Sequence, residues 1–103
     1  VEMKKLADAI IELQKEIPPE INWVLRVDGH TDTKPLSGTG RYKDNWELSS
    51  ARATSVVKYL IASGVPANRL VAAGFGEFQP LDEADTDEAR TRNRRIELKL
   101  TER

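Results

Sequence analysis

Ile21, Trp23, Leu25 and Val27 alternate with Asn22, Val24, Arg26 and Asp28. A period of two puts the first set on one side of an extended chain and the second on the other, so this segment is a strand with one strongly apolar face. Such a face must be covered by helices or by a second sheet. The strand is bounded at both ends. Pro18-Pro19 supplies no amide hydrogens and restricts the residue before it, which stops any preceding helix. Gly29 ends the alternation.

Two segments of helical period can supply the cover. Met3, Leu6, Ile10, Leu13 and Ile17 recur at spacings of three and four, with Asp8, Glu12 and Lys15 on the wet side. A second helix is predicted from about Trp46 to Ser63, with Asp44 or Asn45 as its N-cap. Its buried stripe is Ala53, Val56, Val57, Leu60 and Ile61, and Gly64 and Pro66 close it. Leu70 to Ala73 reads as a short strand ended by Gly74-Phe75-Gly76, and Ala89 to Asn93 as a helical turn. Ile96, Leu98 and Leu100 alternate with Glu97, Lys99 and Thr101, giving a last strand with one charged face. Residues 33–44 read as a loop, and Asp82 to Glu88 as a solvated acidic stretch. The order predicts one α/β (α+β) sandwich over residues 1–103, with helices packed on one face of a small mixed sheet. Strands joined by a helical crossover should pair in parallel. Val1 already lies within the first helical pattern, so the reading expects a longer parent protein, with room for a first strand upstream.

Charge narrows the partners. The 103 residues carry 16 Lys and Arg against 17 Asp and Glu, a net charge of −1. That balance favours neither nucleic acid nor an anionic lipid surface. Without cysteine there is no disulfide framework and no thiolate metal site. No apolar run approaches the ~18 residues of a membrane span.

Two residues stand out for binding. At about 100° per residue, Arg52 falls between Leu48 and Val56, at the edge of the second helix's apolar stripe. A guanidinium there is partly desolvated and needs an anionic partner. Asp32 lies in the loop beyond the carboxyl end of the first strand, where ligands of open α/β sheets gather. Thr31 and Thr33 add hydroxyls and backbone donors beside it. An acid and a base facing one cleft can grip a zwitterion, the carboxylate taking the ammonium and the guanidinium taking the carboxylate. The residues alone leave a second reading open, in which Asp32 and Arg52 form an internal ion pair. His30, the single histidine, reads as a hydrogen-bonding residue that fixes the loop. His30 and Asp32 together are too few for a metal site, and the acidic stretch lacks the glycine and glutamate spacing of a calcium loop. No nucleophile with a base relay is evident, so no catalytic residue, metal or cofactor is expected.

Val27-Asp28-Gly29-His30-Thr31-Asp32, then Asn45-Trp46-Glu47-Leu48-Ser49-Ser50-Ala51-Arg52-Ala53 with Val56 and Leu60, then Gly64, Arg69, Gly74, Gly76, Glu77 and Pro80, and finally Asn93-Arg94-Arg95-Ile96-Glu97 follow in order. This series resembles the OmpA-like peptidoglycan-binding domain, a βαβαβ-type fold. The long loop after Gly29-His30-Thr31-Asp32 is most similar to the flagellar stator (MotB) branch. The resemblance implies non-catalytic binding of the peptidoglycan peptide stem through meso-diaminopimelate, tethering a membrane protein to the wall. By the same resemblance Asp32 would hold the ammonium and Arg52 the carboxylate. Thr31, Asn45 and Leu48 would line the groove, and Arg95 would match the second arginine of the Asn-Arg-Arg motif, with packing as its alternative role. It also implies a periplasmic location, a membrane anchor upstream and a homodimer as in stators. The loop holding Arg41, Tyr42 and Lys43 is expected to cover the ligand. The alternative function is a protein-interaction or dimerisation domain.

Overall fold

The computed structural model describes residues 2–34 and 42–102. Helix α1 spans Glu2–Glu16, strand β1 Trp23–His30 and helix α2 Asn45–Ala62. A 3-10 turn at Ala67–Arg69 leads into β2, Leu70–Gly74, and α3, Asp87–Asn93, precedes β3, Arg95–Glu102. The alternating strand is the centre of a three-stranded sheet ordered β2-β1-β3. It pairs in parallel with β2 from Leu25↔Leu70 to Gly29↔Gly74, across the α2 crossover, as the connection demands. It pairs antiparallel with β3 from Trp23↔Glu102 to His30↔Arg95.

Trp23, Leu25 and Val27 bury their side chains against Ala7 and Ile10 of α1, Ala53 and Leu60 of α2, and Val65. Leu70, Ile96 and Leu98 from the flanking strands join this layer. Both long helices thus cover the face that the alternation marked as apolar. On the strand faces expected to be covered, Ile21, just before β1, and Leu100 are 37% and 50% exposed; on the helices, Leu13 and Ile61 are each 42% exposed. At about 100° per residue each lies roughly a right angle from the centre of its helix's buried stripe. On α1 that stripe runs through Leu6, Ala7, Ile10 and Ile11 instead.

The helix layer sits very close to the sheet at one point. A Cβ built on Gly29 would fall on the Ser49 carbonyl, and one on Gly74 would fall on Ser50. These glycines let α2 rest on β1 and β2 backbone to backbone, which brings the start of α2 beside the end of β1. Asp44 caps α2 by accepting from Glu47 N at 2.9 Å, choosing between the two expected caps. Helix α3 is longer than the expected turn because Thr86 caps it, accepting from Ala89 N at 3.1 Å. Asp87 and Glu88 of the acidic stretch form its first turn, where the helix dipole favours negative charge.

Candidate functional site

β1 ends at His30, one residue beyond the expected boundary, and Thr31 and Asp32 follow directly. The strand end is pinned to the turn after β2: Phe75 N donates to Gly29 O at 3.0 Å and Thr31 N to Gly76 O at 2.9 Å. The Thr31 hydroxyl donates to Asp32 O at 2.9 Å. Asp32 is 7% exposed. Its carboxylate accepts from Lys34 N at 3.0 Å and from Arg94 Nη1 at 2.6 Å. The buried Asn45 amide, in the first turn of α2, donates to Asp32 O at 3.2 Å, Lys34 O at 3.3 Å and Glu77 Oε1 at 3.3 Å. Thr31, Asp32 and Asn45 therefore form one hydrogen-bonded unit.

Leu48 and Arg52 continue the side of α2 that begins at Asn45. Arg52 is two helical turns from Asn45, about 10 Å along the axis. It is half-buried, and among the described residues it makes no ion pair. A cleft of about 400 Å³ opens beside the loop, lined by Thr33, Lys34, Asp85, Asp87 and Arg90. Residues 35–41, with Arg41 of the expected ligand cover, lie outside the described residues.

The internal-pair reading of Asp32 and Arg52 is corrected: the cation on Asp32 is Arg94, the first arginine of Asn93-Arg94-Arg95. Arg94 also donates to Thr91 Oγ1 at 3.1 Å, and its side chain is 48% exposed. Arg95, the residue drawn from the motif, does not join this group. It pairs with Glu97 and donates to Gln79 O at 2.8 Å and Asn93 O at 3.3 Å. Arg95 stands opposite His30 in the β1–β3 ladder, so it shares the sheet face of Glu97 and Lys99, away from the helices. The signal for this was present in the charged alternation Arg95, Glu97, Lys99, which excludes Arg94 from that face. Asn93 holds the same region by accepting from Leu81 N at 2.9 Å and Asp82 N at 3.2 Å.

His30 is also corrected. It is a strand residue, not a loop anchor, and both ring nitrogens are buried without a hydrogen-bond partner among the described residues. It stacks on Phe75 at 5.1 Å between centroids, with Nε2 3.8 Å from Glu97. Burial, reinforced by the Arg95 charge, holds the imidazole pKa below its ordinary value against the pull of Glu97 and Asp28. Asp28, His30 and Glu97 place donor atoms within 4.8 Å of one another. Yet Arg26 binds both oxygens of Asp28 at 2.7 and 3.0 Å and Arg95 binds Glu97. Each carboxylate is thus already paired with a guanidinium, and that positive charge opposes a metal ion at the cluster.

The fold built by this order of elements recurs in known proteins. A model described as the OmpA family matches residues 2–94. The chain belongs to the OmpA family. The periplasmic domain of Helicobacter pylori MotB superposes with a TM-score of 0.80 at 32% identity, covering 98% of this chain and 62% of that one. The cell wall anchor of the type VI secretion system (T6SS) from Pseudomonas aeruginosa superposes with a TM-score of 0.77 at 34% identity, covering 93% and 61%. The peptidoglycan-binding protein ArfA of Mycobacterium bovis is 36% identical over 72 residues, 70% of this chain and 21% of that protein. The chain spans between 21% and 47% of the length of the curated relatives it matches.

Proposed function

We propose that this OmpA-family domain binds peptidoglycan in the periplasm without cutting it and tethers a membrane-anchored parent protein to the wall. Its recognised group is the amino-acid head of meso-diaminopimelate in the peptide stem. Asp32 carries the reading: a residue 7% exposed at the carboxyl end of the central strand, its backbone carbonyl accepting from the Asn45 amide. It takes the ligand ammonium. Arg52, half-buried on the same side of α2 as Asn45 and Leu48, takes the ligand carboxylate in a charge-assisted contact. Arg94 is a third participant. Its half-exposed guanidinium yields part of Asp32 to the incoming ammonium and turns its remaining donors to the ligand carboxylate. Arg95 serves packing.

A lysine-type stem lacks the second carboxylate and leaves Arg52 without its counter-charge. An unsatisfied group of this kind costs about 1–3 kcal/mol, roughly a five- to 150-fold preference for the diaminopimelate stem. Co-sedimentation with purified sacculi tests the site. Asp32→Ala and Arg52→Ala should each abolish co-sedimentation while circular dichroism remains native. Retention of both variants at the wild-type level rejects the site.

A further inference from the structure

Trp46 and Phe78 are 51% and 58% exposed, among the most exposed large apolar side chains of the domain. They come from different elements, the first turn of α2 and the turn after β2. Their rings stack on each other, with centroids 5.0 Å apart and planes 26° from parallel. Both sit over Gly76, where an added Cβ would meet Phe78 at 3.4 Å and Trp46 at 3.5 Å. Gly76 has φ +62°, and its peptide is held on both sides, its amide by Ser49 Oγ at 2.9 Å and its carbonyl by Thr31 N at 2.9 Å. The platform is therefore built on the same turn that fixes the Asp32 loop. Trp46 is adjacent in sequence to Asn45 and Phe78 to Glu77, the two residues joined by the 3.3 Å amide–carboxylate contact at the edge of the site.

Mutual stacking shields one side of each ring, fixes the pair's orientation and leaves the outer aromatic surface in water, open to a ligand. The patch is two rings wide, far below the ~800 Å² per partner of a stable protein interface. A single six-membered sugar matches it better. A hexosamine with equatorial substituents presents only axial C–H bonds on its ring faces, which pack on aromatic faces, while its hydroxyls and acetamido group reach polar neighbours such as Glu77.

We propose that Trp46 and Phe78 form a sugar-stacking subsite that takes an N-acetylhexosamine ring of the glycan strand, beside the peptide-stem site. The inference rests on the peptidoglycan reading for its partner but on separate residues for its chemistry. Three probes separate the two: tetra-N-acetylchitotetraose, a sugar-free diaminopimelate stem peptide, and a disaccharide-linked version of that peptide. Trp23 is buried, so emission changes on sugar binding come from Trp46. The oligosaccharide should shift Trp46 emission saturably. The disaccharide-linked peptide should bind about three- to tenfold tighter than the sugar-free one. Trp46→Ala should erase that difference and leave sugar-free peptide affinity unchanged, and Phe78→Ala should reduce it. The subsite is overturned if the oligosaccharide gives no saturable response at millimolar concentration, if the linked sugars add no affinity, or if Trp46→Ala weakens both peptides equally. Sugar binding without stem-peptide binding would sink the diaminopimelate reading and leave the platform standing.

Discussion

Replacing Gly29 by alanine should damage both the fold and the site, because the two meet at the contact between β1 and α2. The new Cβ would lie 2.2 Å from Ser49 O, 3.0 Å from its carbonyl carbon and 3.4 Å from its Cα. All three are backbone atoms of a helix, so no rotamer change relieves the overlap, and α2 must retreat by about 1 Å to restore ordinary contact distances. Overpacking of this kind costs about 1–3 kcal/mol. The retreat also stretches the 2.9 Å bond from Gly76 N to Ser49 Oγ, worth about another 1 kcal/mol. We expect a loss of about 3 kcal/mol, a large share of the ~5–15 kcal/mol available to a domain of this size. Asn45 rides on the same helix, and its bonds to Asp32 O and Lys34 O, at 3.2 and 3.3 Å, have no slack for such a shift. Urea unfolding followed by circular dichroism measures the first effect and sacculus co-sedimentation the second. Gly64→Ala is the control. There φ is +113°, but the nearest atom to an added Cβ is the Ile11 Cδ1 at 3.6 Å, so backbone strain of about 1–3 kcal/mol is expected without a clash and without an effect on the site. A Gly29→Ala midpoint equal to wild type, or sacculus co-sedimentation reduced as much by Gly64→Ala as by Gly29→Ala, refutes the close-approach reasoning.

Asn93→Ala removes the acceptor of two backbone amides and the donor to Asp82 O at 2.9 Å, in a residue 4% exposed. It should cost about 2–3 kcal/mol in urea unfolding and raise hydrogen exchange at Leu81 and Asp82. Arg95→Ala should destabilise the domain by about 1 kcal/mol through the lost bond to Gln79 O, yet keep wild-type stem-peptide affinity in calorimetry. Arg94→Ala should weaken that affinity. His30 has a lowered pKa in the folded state, so below the unfolded histidine value of about 6.5 the unfolded chain binds more protons. This contribution to stability is complete above pH ~6.5 and falls as the pH drops below it. His30→Phe should flatten that part of the pH–stability curve, measured by melting at pH 5 to 7.5.

Much of the fold follows from local pattern. Period two in Ile21–Val27 and the periodicity of the two long helices required a covered sheet, and the crossover required parallel pairing with β2. The errors at Leu13 and Ile61 arose because an apolar residue at the rim of a stripe satisfies the spacing whether or not a neighbour covers it. The pairing of Asp32 was less accessible. It connects residues 62 positions apart, and two adjacent arginines compete for it. Asp32 stood out from its place at a strand end and the α2 stripe from helical period, whereas Asn45 entered the site only through the family resemblance, its expected cap role falling to Asp44. The Trp46–Phe78 stack was not, since each aromatic alone reads as an ordinary surface residue.

By itself the sequence determined the elements, their polarity and the loop that holds Asp32, because hydrophobic period, caps and turn residues act within a few positions. Only the tertiary structure decided that Arg94 rather than Arg52 closes on Asp32, that Arg95 turns to the opposite sheet face, and that two distant aromatics meet over Gly76. Each depends on strand register and on how near α2 can come to the sheet. Those are set by packing among segments far apart in the chain.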